Sequence, residues 1–150
     1  MVTSTTSTQN SFSAEERAAI KERAREARAA ARRISPVEKA AEARQAVLEK
    51  IAEMPQPDRS IAERIHAIVE EAAPQLAPRL WYGMPAYAQD GAIVCFFQNA
   101  DKFKARYPTL GFSDRAHLDD GPAWPTSYAV TQVSPEVEER ISGLIRRAVG

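Results

Sequence analysis

Cysteine is nearly absent from this chain. Cys95 is the only one in 150 residues, which excludes an internal disulfide framework and any multi-cysteine zinc or iron–sulfur site. Histidine is almost as scarce, with His66 and His117 alone. No HExxH, CxxC, GxSxG or Gly-rich phosphate loop occurs, so the common catalytic and cofactor signatures are missing. Net charge is also lacking, since 20 basic residues stand against 20 acidic ones. That balance removes a global electrostatic case for nucleic acid or an anionic membrane as partner. The longest strictly apolar run, Ala92 to Phe97, falls far short of the ~20 residues a membrane span needs. No apolar segment precedes the first charged residue, Glu15, so no signal peptide is expected. The absences point to a soluble cytoplasmic protein, and the length fits one domain.

What is present is unevenly placed. Residues 1–33 carry a net charge of +3, residues 34–78 a net of −3, and the remainder balances. Ten of the eleven aromatic residues lie between Trp81 and Tyr128. A helical, alanine-rich first half therefore precedes an aromatic half that reads as sheet.

Residues 1–12 are rich in Ser and Thr and are expected to form a disordered tail. Ser13-Ala14-Glu15-Glu16 is a capping box that opens a first helix running to about Arg33. Its one ordered apolar seam is Ile20, Ala24, Ala27, Ala31, Ile34, a thin stripe suited to a solvated outrigger helix or to a second copy of itself in a homodimer. Ser35-Pro36-Val37-Glu38 restarts the chain with an N-cap and a proline at the first helical position. The second helix carries Val37, Ala40, Ala41, Val47, Leu48, Ile51 and Met54 as a core-facing stripe. Asp58 is the candidate cap of a third helix, buried through Ile61, Ile65, Ile68, Val69 and Ala72. A last helix begins at Ser134-Pro135 and buries Val137, Ile141, Leu144, Ile145 and Ala148. Its early Glu and late Arg residues complement the helix dipole.

Between residues 79 and 133 the period changes to that of strands. Leu80-Trp81-Tyr82 breaks at Gly83-Met84-Pro85, and Asp90-Gly91 is a two-residue hairpin signal. Ala92–Phe97 follows as a strand of β-formers. Phe103–Tyr107 alternates, which places Lys104 and Arg106 on one strand face and Phe103, Ala105 and Tyr107 on the other. Leu110-Gly111-Phe112 continues or bends that strand, residues 113–125 read as loop, and Tyr128–Val133 reads as the last strand. Helices, then a run of strands, then a helix predict an α+β fold. The expected architecture is a helical pair, an antiparallel sheet of about five strands and a C-terminal helix, with an extra N-terminal helix and all helices on one face.

Three groups of residues could carry chemistry. Cys95, inside Ile93–Phe97, reads as a small buried hydrophobe with nothing nearby to lower its pKa, and His66 reads as a structural or surface residue of the third helix. His117, Asp119 and Asp120 bring nitrogen and oxygen ligand types together, suited to weak iron or manganese binding, although Asp before Gly-Pro is also ordinary turn chemistry. The aromatics are the most informative group. Tyr82, Met84, Tyr87, Phe97 and Trp124, with Lys104 and Arg106 as cations, are expected to border a concave small-molecule site at the end of the sheet. Filling the core beneath the helices is the competing use of the same residues.

Trp81-Tyr82-Gly83-Met84-Pro85-Ala86-Tyr87 resembles the YGMPAY/F motif of the YdhG-like domain family (DUF1801), and Lys102–Pro108 resembles its following K-H-I-G-F-Y-P motif. The resemblance covers about Ala46 to Val149. It divides the chain into a tail (1–12), an N-terminal helical extension (13–34) and a YdhG-like domain (35–150). Some members of that family are described as frataxin-like intracellular iron chaperones, so the resemblance implies a non-enzymatic carrier with iron as cargo. Phe103 stands where the family motif has His, which removes that side chain from any polar role here. A small-molecule-binding protein or minor enzyme using the aromatic pocket is the alternative. An adaptor using the Arg-rich first helix ranks last, because Glu residues interleave with its Arg.

Overall fold

Ser13, Ser35 and Ser134 start three of the helices as the capping signals predict. Their hydroxyls accept from the backbone N–H of Glu16 (3.0 Å), Glu38 (3.2 Å) and Val137 (3.3 Å), satisfying donors that a helix start leaves open. The structure, a computed structural model, describes residues 12–30 and 34–150. The expected disordered tail and residues 31–33 of the first helix lie outside the described residues, apart from exposed Phe12. The chain runs α1 (Ala14–Ala30), α2 (Pro36–Glu53), α3 (Asp58–Ala72), β1 (Ala77–Trp81), β2 (Met84–Gln89), β3 (Ala92–Gln98), α4 (Ala100–Phe103), β4 (Thr109–Phe112), β5 (Ser127–Ala129) and α5 (Pro135–Ala148). The fold is α+β. No helix among the described residues is long and apolar enough to cross a membrane.

The five strands form one antiparallel meander in the order β1-β2-β3-β4-β5. Two tight hairpins set the register. Tyr82 and Gly83 have φ of 53° and 76°, and Asp90 and Gly91 have 51° and 83°, the paired positive values that match strand twist. Trp81 thus pairs with Met84, and Leu80 with Pro85. Pro85, expected to help form the bend, sits inside β2 instead; β1 is an edge strand, and the turn itself is Tyr82-Gly83.

Alternation places Pro85, Tyr87, Cys95, Phe97, Leu110 and Tyr128 on one sheet face. All but Pro85 join Val47, Ile51, Ile61, Ile65, Val69, Ile141 and Ile145 of the helices in one apolar core. Val94 and Cys95 are adjacent yet both buried in that core, which strict alternation forbids. The register shift opposite Tyr87 and Ala88 leaves Val94 as an extra residue, and this bulge turns both side chains inward. The other sheet face carries Trp81, Met84, Ala86, Phe96 and Gly111. The end of the Phe96 ring covers Gly111, where an added Cβ would come within 2.3 Å of it, and the ring packs tilted against Trp81 at 5.2 Å between centroids.

Several expectations are corrected. Phe103–Tyr107 is not a strand. Asp58 is buried and its carboxylate accepts the N–H of Asp101 at 2.9 Å, so it caps α4 rather than α3. Lys104 closes that single helical turn in the left-handed conformation, φ 55°. Lys104 and Arg106 therefore share no strand face; both are exposed. In α2 only the C-terminal half is buried, through Val47, Ile51 and Met54, while Val37, Ala40 and Ala41 are exposed. Ile20, Ala24 and Ala27, the described part of the thin seam of α1 apart from half-buried Ile34, face solvent. The last strand is shorter than expected and ends at Ala129.

Candidate functional site

Two polar constellations rise from this frame. The first runs from the core to the surface, with Tyr87 and His66 buried and Glu70 and Arg44 at its exposed end. Tyr87, on the core face of β2, reaches His66 of α3 with 3.0 Å between its hydroxyl and Nδ1. His66 Nε2 is 3.1 Å from Glu70 Oε1 but makes no hydrogen bond, and Arg44 of α2 grips Glu70 with two bonds of 2.9 Å. A carboxylate beside Nε2 favours the tautomer protonated there, so the Tyr87 hydroxyl donates to Nδ1. Burial lowers the pKa of His66 against the opposing pull of Glu70. The Arg44 hydrogen bond, the largest influence on Glu70, holds its carboxyl below the usual range. Burial pushes the Cys95 thiol up to about 12 and the Tyr87 phenol up as well. Both groups stay protonated, so neither is an activated nucleophile. The network ties α2 and α3 to the sheet.

The second constellation lies where α1 crosses the edge strand. Glu26 spans the β1–β2 turn, its carboxylate accepting the N–H of Gly83 at 2.8 Å and of Tyr82 at 3.2 Å. Glu22, one turn earlier, meets Lys50 of α2 at 3.3 Å. Lys102 of α4 donates to the Tyr82 carbonyl at 3.2 Å, and Arg23 lies over the Tyr82 ring, 5.8 Å from its centroid. Burial lowers the pKa of Lys102, with Lys50 adding to the shift and Glu22 and Glu26 opposing it. Between α1, α2 and β1 these contacts leave a cleft of about 420 Å³. Ala29, Ala43, Ala46, Leu80 and Trp81 line its apolar part, and Glu22, Glu26 and Lys50 border it. Small residues on both helices keep the walls apart from the indole. A cleft of this volume falls in the range of small-molecule sites.

The residues expected to border a pocket are not gathered into one. Tyr87 and Phe97 are buried on the helix-covered face, and Met84 is on the opposite face. Tyr82 is 40% exposed on the turn, and Trp124 packs on the core from the 113–126 loop. Lys104 borders a shallow depression with Gln56 and Asp101, and Arg106 lies over the Tyr107 ring. Asp119 and Asp120 are exposed, while the His117 ring faces Gly150 and the His117 backbone N–H donates to the Ala148 carbonyl. Among the described residues no three His, Cys, Asp or Glu side chains converge to hold a metal ion, so His117, Asp119 and Asp120 do not fit an iron site. Sequence reasoning singled out the aromatic motif but passed over Glu22 and Glu26. Their one signal is a four-residue spacing on the helix, which an ordinary solvated face shares.

Comparison with protein-family models, curated proteins and solved structures finds no match for this chain. The assignment of function therefore rests on its own residues.

Proposed function

We propose that this chain is a non-catalytic binding module of the YdhG-like type, taking a small planar molecule in the cleft between α1, α2 and β1. The observation that carries the reading is the 420 Å³ cleft with Trp81 in its lining. Trp81 and the short alanines of α1 and α2 offer apolar area to a flat ligand, within a rim of charged side chains. The WYGMPAY segment, on which the family resemblance rests, forms the β1–β2 hairpin beside this cleft. A carrier rather than an enzyme is the better reading, because the buried Cys95 and Tyr87 are held protonated. Iron as cargo is not part of the proposal, since the expected ligands lie apart.

The test uses the fluorescent probe 8-anilinonaphthalene-1-sulfonate with the full chain and with Ala46→Trp, which fills the cleft from α2. The natural chain should bind one probe saturably, and the filled variant should lose that binding while keeping its cooperative melt. Equal binding by both would refute the assignment.

A further inference from the structure

The Tyr82–Gly83 turn has the construction of an oxyanion site. Both residues have positive φ, which leaves two successive N–H groups side by side on the outside of the turn, where each meets one oxygen of a single carboxylate. Both N–H groups are taken by one carboxylate, that of Glu26. One cation flanks it: Lys102 donates to the Tyr82 carbonyl, while Lys50 behind it is paired with Glu22 and Glu53. Gly83 is the residue this crowding requires. A Cβ there would stand 1.9 Å from Lys102 Nζ and 3.2 Å from Glu22 Cγ, so only glycine lets the ammonium reach the turn.

The occupant is loosely held. Helix α1 buries no residue; its described ties to the domain are Glu26 on the turn, Glu22 on Lys50, Arg23 over Tyr82, and Lys39 donating to the Ala30 carbonyl. Exchanging the Glu26 carboxylate for another anion would therefore forfeit almost no apolar burial, and the incoming charge would find the same two amides and the Lys102 ammonium.

We infer that the turn amides with Lys102 form an oxyanion subsite at the end of the cleft, and that Glu26 is its internal occupant. This rests on the cleft reading and extends it to a ligand class: a planar body beside Trp81 carrying a compact carboxylate or phosphate. Glu26 acts as a built-in competitor, so the natural chain binds such anions more weakly than the bare subsite.

The test follows the Gly83 backbone amide by nuclear magnetic resonance during titration with inorganic phosphate and, separately, succinate at low ionic strength. The full chain, Glu26→Ala, Glu26→Gln, and Glu26→Ala combined with Lys102→Ala are compared. Glu26→Ala should bind at least one anion about tenfold more tightly than the natural chain, as removal of a competitor occupying the site about nine-tenths of the time requires. Glu26→Gln, which keeps the shape and loses the charge, should lie between, and the Lys102 change should abolish the gain. The preferred anion tells phosphoryl from carboxylate ligands. If α1 detaches in Glu26→Ala, the subsite is still opened and the same gain is expected. A Gly83 amide that responds no more in Glu26→Ala than in the natural chain overturns the inference. The probe experiment on Ala46→Trp then decides separately whether the cleft reading stands.

Discussion

Replacing Tyr87 by Phe removes one oxygen atom from the centre of the domain, and the structure fixes what that costs. The ring is buried, and its hydroxyl is the hydrogen-bond partner of His66 Nδ1 at 3.0 Å. The phenylalanine ring fills nearly the same space, so no cavity term enters. What remains is a buried imidazole nitrogen without a partner, a penalty of about 1–3 kcal/mol. For a domain of this size a loss of 1 kcal/mol lowers the melting temperature by roughly 2–4 °C. Tyr87→Phe should therefore melt about 2–12 °C below the natural chain, with an unchanged urea m-value because the surface exposed on unfolding is the same. Adding His66→Phe to the variant should cost less than the two single changes summed, since each single change already breaks the shared bond. A Tyr87→Phe chain as stable as the natural one would refute the hydrogen bond as described.

The same network predicts a pH dependence. Burial lowers the folded pKa of His66 below its ordinary 6.5, so the unfolded chain binds more protons, and stability should fall as pH drops from about 6.5 toward the folded value. Glu70, lowered from 4.5 by Arg44, adds a further loss below about pH 4.5. Urea midpoints measured from pH 7.5 to 4 check both; a midpoint that rises as pH falls from 6.5 would contradict the buried neutral imidazole. Gly83→Ala and Gly91→Ala form a second pair. Both put an alanine at positive φ, at about 1–2 kcal/mol, but Gly91 has open space around it while Gly83 meets Lys102. Gly83→Ala should be at least as destabilising as Gly91→Ala, because it also pushes the Lys102 ammonium off the Tyr82 carbonyl, and a smaller loss at Gly83 would contradict that contact.

The elements legible in the sequence are those governed by neighbouring residues. Ser35-Pro36 and Ser134-Pro135 open helices because cap and first turn are contiguous, and Asp90-Gly91 makes its hairpin for the same local reason. The short helix α4 was not legible: Phe103–Tyr107 alternates like a strand, and what overrides it is Asp58, far back in the chain, capping Asp101. The bulge at Val94 escaped for a similar reason, being a property of two strands in register. The candidate site was half visible. The WYGMPAY run marks the turn and the indole, but the wall facing them is α1, held by hydrogen bonds from the turn amides to Glu26 across more than fifty residues of sequence. The apolar seam of α1, the feature a periodicity argument weighs, points to solvent instead.

A crystal structure of the full chain with 8-anilinonaphthalene-1-sulfonate bound tests the cleft most directly. The account predicts the naphthalene ring beside Trp81, between Ala43 and Ala46 of α2 and Ala29 of α1, with the sulfonate toward Lys50 and the Tyr82–Gly83 turn. A probe bound elsewhere, or α1 packed down onto Trp81 with the cleft closed, would contradict it.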